Sequence, residues 1–163
     1  MKGGLRVAAV TRAQANVADG TVVMMGVTGS TAAGAVAAAV SSARTTGACA
    51  ESKQDDNHRH HLCTNKNDKS ENNGGPWTPR FEEFFERAGM SLDDPANIIY
   101  LRDHKGPHPE AYHREIFERL RTALGTCKPG AECRTRLVRV LEKIAGEVCT
   151  PGSTLNKLAT RKS

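Results

Sequence analysis

Residues 97–120 read Asn97-Ile98-Ile99-Tyr100-Leu101-Arg102-Asp103-His104-Lys105-Gly106-Pro107-His108-Pro109-Glu110-Ala111-Tyr112-His113-Arg114-Glu115-Ile116-Phe117-Glu118-Arg119-Leu120. This run decides the fold because its periodicity changes partway. After Asp93-Asp94-Pro95, residues Asn97 to Leu101 place two β-branched residues and an aromatic in a row, which predicts a strand. His104 to His108 is a Gly-Pro turn. Pro109 then stands at the first helical position, where its missing N–H costs nothing. His113, Ile116, Phe117, Leu120 and Leu124 share one face beyond it, so the spacing predicts a helix to about Leu124, stopped by Gly125.

Working upstream, Glu51 to Pro76 is polar and rich in Asn, Asp, Lys and Gly. It is interrupted by His60-His61-Leu62-Cys63, which reads as a short strand. Thr78-Pro79 opens a predicted helix over Arg80 to Ala88, with Phe81, Phe84 and Phe85 at i, i+3 and i+4 and Gly89 as its stop. Downstream, Glu132 to Val148 predicts an amphipathic helix, with Leu137, Leu141, Ile144 and Val148 inward and Arg134, Arg136, Arg139 and Lys143 outward. The last thirteen residues, PGSTLNKLATRKS, read as a tail.

All aromatic and histidine residues of the 163-residue chain fall between positions 58 and 117. Large buried rings supply much of a core's apolar area, so the folded centre is expected there. The net charge is +3 over residues 1–50, −4 over 51–100 and +6 over 101–163. A basic C-terminal third suits a polyanionic partner but does not require one. The five cysteines (Cys49, Cys63, Cys127, Cys133, Cys149) contain no C-x-x-C pair. That argues against a four-thiolate zinc ribbon and leaves free thiols or one or two disulfides; Cys127 and Cys133 are one candidate pair. The 24 residues from 20 to 43 carry no charge but are dominated by Ala, Gly, Thr and Ser, so a connector is expected there and no stable membrane span. Neither a phosphate loop nor an H-E-x-x-H peptidase motif is present.

The chemistry concentrates on a His-His pair on one strand, an Asn opening a second, and three histidines around a helix start. Hydrolysing a phosphodiester needs a base for water and a cation to offset charge on the phosphorane and departing oxygen. Adjacent strand residues point to opposite faces, so His60 and His61 cannot share a task. His60 is read as a metal ligand and His61 as the general base, since imidazole titrates near neutral pH. Asn97 is placed to orient that base, although a turn Asn is the commoner use. Two of His104, His108 and His113 complete the metal shell, with His104 and His108 the preferred pair; His113 is equally a core histidine. Arg59, Lys105 and Arg114 are the nearest cations for backbone phosphates, and helix-surface arginines are often only solvated. A competing reading is a closed structural zinc site using His60, Cys63 and later histidines, in a module that binds nucleic acid or protein without catalysis. A third is a membrane-active protein working through residues 20–43.

The pieces His60-His61, AGMSLDDPANIIYL and HKGPHPEAYHREIFERL, in that order, resemble the AHH family of HNH/endonuclease VII-type nuclease domains. HRHHLCTNKND, GGPWTPRFEEFFERAGMSLDDPANI and GPHPEAYHREI are most similar to toxin domains of myxobacterial swarm-inhibition lipoproteins. The resemblance implies a metal-dependent DNase. Within it the first His of the pair and the helix-start histidines are ligands, the second His is the base and the Asn an orienting residue. It also implies export, action in the cytoplasm of a neighbouring bacterial cell, and a cognate immunity protein in the producer. Arg59 stands where the family's motif has alanine, and no convincing lipobox lies near Met1, which suits a piece of a longer lipoprotein.

The expected fold class is α+β: a small ββα-metal core with an inserted helix and a C-terminal helical extension. The expected boundaries are 1–49 for a linker or delivery junction, 50–126 for the nuclease domain and 127–163 for the extension and tail. The expected cofactor is one divalent ion, with zinc, nickel, manganese or cobalt suiting imidazole better than magnesium.

Overall fold

A computed structural model describes residues 43–161, and the uncharged run up to residue 42 lies outside them. Three strands, β1 (Cys49–Ala50), β2 (Asn57–His61) and β3 (Ile98–Arg102), form an antiparallel sheet in the order β1-β3-β2. Four helices follow the polar loop: α1 (Thr78–Arg87), α2 (Glu110–Leu124), α3 (Ala131–Cys149) and α4 (Thr154–Thr160). Mixed helices and a small sheet make this an α+β fold.

The predicted helices form where their apolar spacing and stop signals placed them. Pro79 sits in the first turn of α1, and α2 ends on Gly125 at φ +44, a left-handed-region angle that favours glycine. The strands shift by a few residues from expectation. β2 begins at Asn57 and ends at His61, because Leu62 and Cys63 leave the ladder to bond Asn97: Leu62 N donates to the Asn97 carbonyl (2.9 Å) and Cys63 N to Asn97 Oδ1 (2.8 Å). Asn97 itself closes a 3-10 turn, Pro95–Asn97, whose first free N–H, on Ala96, is capped by the Asp94 carboxylate.

The C-terminal tail expected from sequence is instead a docked helix. Ser153 caps α4 by accepting from Asn156 N, Leu155 and Ala159 are fully buried one turn apart, and Asn156 Nδ2 donates to the Val148 carbonyl (2.8 Å). A short helix with so few apolar residues is not stable alone, and packing on α3 supplies what propensity does not. One core cluster joins Phe81 and Phe85 of α1, Tyr112, Ile116 and Leu120 of α2, Leu137, Leu141 and Ile144 of α3 and Leu155 of α4, so the helical extension beyond residue 126 shares its core with the sheet-containing part.

Disulfides Cys49–Cys149 and Cys127–Cys133 tie β1 to the end of α3 and close the loop before α3. The bridge suggested between Cys127 and Cys133 is thus present, and Cys63 remains a buried free thiol. No described helix is long and apolar enough to cross a membrane.

Candidate active site

Strand alternation delivers His60 to the helix-covered side of the sheet, where it is 1 % exposed. The turn between β3 and α2 brings His104 and His108 to the same place, 44 and 48 residues along the chain. One ring nitrogen from each of the three lies within 4.8 Å of the others. His60 Nδ1 and His108 Nε2 are 3.3 Å apart. No other group of His, Cys, Asp or Glu able to hold a metal occurs among the described residues. The preferred pair, His104 with His108, is therefore the pair that joins His60.

His113 is brought near but not into this cluster. Its ring stacks on Trp77 (centroids 5.5 Å, planes 26° apart) and meets His108 edge-on at 5.8 Å. That is the surrounding of a core histidine. Cys63, the thiol of the competing zinc reading, is not part of the cluster, and burial pushes its pKa well up, against thiolate formation.

Electrostatics prepare these imidazoles to act as neutral donors. Desolvation by burial lowers the pKa of His60 well below the usual value, with the neighbouring His108 and His104 adding repulsion. Burial brings His108 down to about 3 and His113 to about 4. Burial also lowers His104, opposed by the backbone carbonyl of Ala159. Three neutral imidazoles with converging lone pairs fit a divalent cation. Among the described residues, His108 Nδ1 is buried without a hydrogen-bond partner, so no neighbouring acceptor fixes a proton on that nitrogen.

His60 has a second partner that the sequence did not reveal. Its Nε2 lies 2.8 Å from the hydroxyl of Tyr112, a fully buried residue on the first turn of α2. A proton held on Nε2 toward that oxygen leaves Nδ1 free to face the cluster. The spacing Pro109-x-x-Tyr112 was readable as a helix start, but nothing in it indicated a bond to a residue 52 positions upstream.

His61 points to the other side of β2 yet lines the same cavity, of about 470 Å³, together with His60, His104, His108 and His113. Its Nε2 is 3.0 Å from Asp93 Oδ1. Burial lowers its pKa, and the Asp93 bond opposes that shift. Asp93 thus bonds the His61 imidazole, whereas Asn97, expected to orient it, bonds elsewhere. Asn97 is fully buried; its Nδ2 donates to the carbonyls of Cys63 (2.9 Å) and Leu92 (2.7 Å), and its Oδ1 accepts from Cys63 N. It pins the loop after β2 to the loop before β3, setting where His61 stands without touching it.

Of the three cations, Arg59 lines the cavity, with its guanidinium 3.8 Å from Asp93. Lys105 is exposed on the ligand-bearing turn, though it does not line the cavity. Arg114 lies elsewhere, in an exposed i, i+4 ion pair with Glu110 on α2. Lys66, from the polar loop, lines the cavity and was not anticipated. α4 braces the ligand turn from behind: Lys105 N donates to the Ala159 carbonyl (3.3 Å), and Arg161 donates to the Pro107 carbonyl.

A comparison with protein families matches residues 42–148 to AHH, described as a nuclease family of the HNH/ENDO VII superfamily with conserved AHH. No curated protein and no solved structure matches the chain significantly. The family match covers about two thirds of the chain, including both strands that carry the histidine pair and its partner, the ligand turn and α2. On that match, and with His60-His61 set against a histidine cluster in an open cavity, this chain belongs to the AHH family of HNH/endonuclease VII-type nucleases.

Proposed function

We propose that this nuclease is a metal-dependent endonuclease that hydrolyses DNA in preference to RNA, and that it acts as a toxin between competing bacteria. The observation that carries the catalytic part is the convergence of His60, His104 and His108 under a cavity that His61 also lines. A bound divalent ion supplies positive charge for the pentavalent phosphorus and the departing oxygen. His60, His104 and His108 hold it through neutral ring nitrogens. His61, with the Nε2 proton directed at Asp93, offers Nδ1 as the base that takes a proton from the attacking water. Arg59 and Lys66 are positioned for backbone phosphates, whose contacts carry no sequence information, so low sequence specificity and a steep loss of binding with salt are expected.

The toxin role, export into a neighbouring bacterial cytoplasm and a cognate immunity protein rest on the resemblance to swarm-inhibition toxin domains. Two disulfides in the fold are in keeping with passage through an oxidising compartment. The alternative, a zinc-stabilised binding module without catalysis, has less support, because the imidazoles border an open cavity and Cys63 stays outside the cluster.

Plasmid incubated with the wild type plus divalent metal is expected to be nicked and linearised. Chelator and His61→Ala are each expected to abolish cutting, the latter with metal still bound. Metal-loaded wild type that leaves plasmid, single-stranded DNA and RNA all intact would favour the binding module. Equal nicking by His61→Ala would remove His61 from the mechanism.

A further inference from the structure

Arg59 and Tyr100 face each other across the β2–β3 ladder. Burial alternates along β3: Ile99 and Leu101 are buried against the helices, while Ile98, Tyr100 and Arg102 are half-buried on the opposite side. Over that opposite side lies a second cavity, of about 560 Å³, bordered by Ile98, Tyr100, Arg59, Asp93 and Glu51. Arg59 borders the histidine cavity as well, so the two spaces meet at this side chain.

We propose that this groove is a nucleotide subsite, in which one unpaired base of the substrate strand stacks on Tyr100 while Arg59 holds the phosphate between that base and the bond being cut. The assignment builds on the nuclease reading above and specifies the state of its substrate. Three features of the protein support it.

Spacing is the first. Arg59 and His61 lie on the same side of β2 two residues apart, about 7 Å at the usual rise of a strand, which is about one nucleotide of extended backbone. Tyr100 is the direct neighbour of Arg59 and Ile98 of His61, so the aromatic ring stands one step along from the base imidazole. On its other flank Tyr100 meets Ala50, a single methyl, so no large side chain from β1 competes for the ring face.

Charge is the second. The carboxylates of Glu51 and Asp93 border the groove and repel phosphate; Arg44 borders it too, but Glu142 and the carbonyls of Ala96 and Ile98 hold its guanidinium, so backbone is drawn to the Arg59 end and the interior is left for an uncharged base. Arg59 is available for this: among the described residues its ion pair is a long, exposed one to Asp93, and such pairs contribute little.

The third is that Arg59 replaces the alanine of the family's Ala-His-His motif. An alanine there would leave the groove with Arg44, whose guanidinium Glu142 already holds. Arg59 with Tyr100 makes a combination suited to single strands: stacking tolerates any base, and a guanidinium tracks the backbone. A base drawn into the groove to stack on Tyr100 is taken away from its partner strand, so single-stranded or frayed nucleic acid is favoured over intact duplex.

The test uses metal-loaded His61→Ala protein, which leaves the probe uncut, titrated by fluorescence anisotropy with a labelled single-stranded DNA, the same sequence as RNA, and the matching DNA duplex. The expected order is single strand tighter than duplex. Adding Tyr100→Ala should weaken single-strand binding by about 5- to 150-fold, the range that stacking of one base supplies, with little change for duplex. Tyr100→Phe should bind like its parent, and Tyr100→Val, which keeps a strand-forming residue without a π face, should behave like Tyr100→Ala. The polymer whose affinity depends on Tyr100 is the one the subsite takes. Single-strand affinity unchanged in both the Ala and Val variants would overturn the proposal and leave the groove to a protein partner; so would duplex bound more tightly than single strand. If the Tyr100 dependence holds but wild type cuts no nucleic acid, the nuclease reading fails and the subsite stands.

Discussion

The Nε2 atom of His60 and the hydroxyl of Tyr112 lie 2.8 Å apart, both fully or almost fully buried, in a bond that spans 52 residues of chain. Because the Tyr112 pKa is raised well above its usual value by burial, the phenol stays protonated and neutral. Its oxygen can accept the Nε2 proton of His60, and in that arrangement the Nδ1 lone pair faces His108.

Tyr112→Phe removes that partner and keeps the ring. Metal affinity, read by calorimetry on chelator-stripped protein, is expected to fall by about 10- to 100-fold, the usual effect of losing a ligand's supporting hydrogen bond. His60→Ala is expected to abolish high-affinity binding. Affinity unchanged in Tyr112→Phe would mean that packing alone orients His60.

Asn97→Ala leaves the Cys63 N–H and the carbonyls of Cys63 and Leu92 without their side-chain partner. At about 1–3 kcal/mol per buried group, the loss of unfolding free energy is expected to be about 3 kcal/mol or more. His61 should keep its tautomer by ¹⁵N chemical shift in this variant and lose it in Asp93→Ala. The reverse pattern would restore Asn97 as the residue that orients the base.

Metal-free protein is expected to lose stability as pH falls. His108 and His113 are held at about 3 and about 4 in the fold by burial, below their unfolded value. Above about pH 6.5 both states carry neutral imidazoles and this contribution is fully present. Below it the unfolded chain takes up protons that the folded chain refuses, so stability falls with pH until the folded values are reached. Thermal melts in chelator from about pH 7.5 down to about pH 5 should show the decline, and His113→Phe, which keeps a ring against Trp77, should flatten it. A melting temperature independent of pH over that range would contradict the burial of these rings.

The two disulfides should differ in weight. Cys49–Cys149 closes a separation of 100 residues and Cys127–Cys133 one of 6. Loop-closure entropy puts these at about 4.7 and about 2 kcal/mol. Replacing Cys49 and Cys149 by Ser should lower the denaturation midpoint more than replacing Cys127 and Cys133. Cys63, fully buried with its thiol pKa pushed up, should resist iodoacetamide until the protein unfolds. Equal midpoints for the two double variants would rule out the entropic ranking.

Much of the architecture was legible because its signals are local. The Phe81, Phe84, Phe85 spacing, Pro79 and Gly89 delimit α1 within a residue or two, and Ile116, Leu120 and Leu124 mark the inner face of α2. The final helix was missed because its three apolar residues, Leu155, Leu158 and Ala159, fall among Ser, Thr, Asn and Lys. Its order comes from α3, not from its own composition. The strand with the histidine pair was placed too late because Leu62 and Cys63 look like strand residues, yet they are buried in a loop held by Asn97.

At the site the division is similar. That His60 and His61 face opposite ways follows from strand geometry, and that His104 and His108 flank a turn follows from Gly106 and Pro107. Each depends on neighbours in the chain, so the amino-acid order alone determined them. Which imidazoles meet, that Asp93 rather than Asn97 holds His61, that Tyr112 backs His60, and that Arg59 stands beside Tyr100 were decided by the tertiary structure. Each pairs residues 32 to 52 positions apart. Such contacts are set by strand register and helix packing, and no local pattern encodes them.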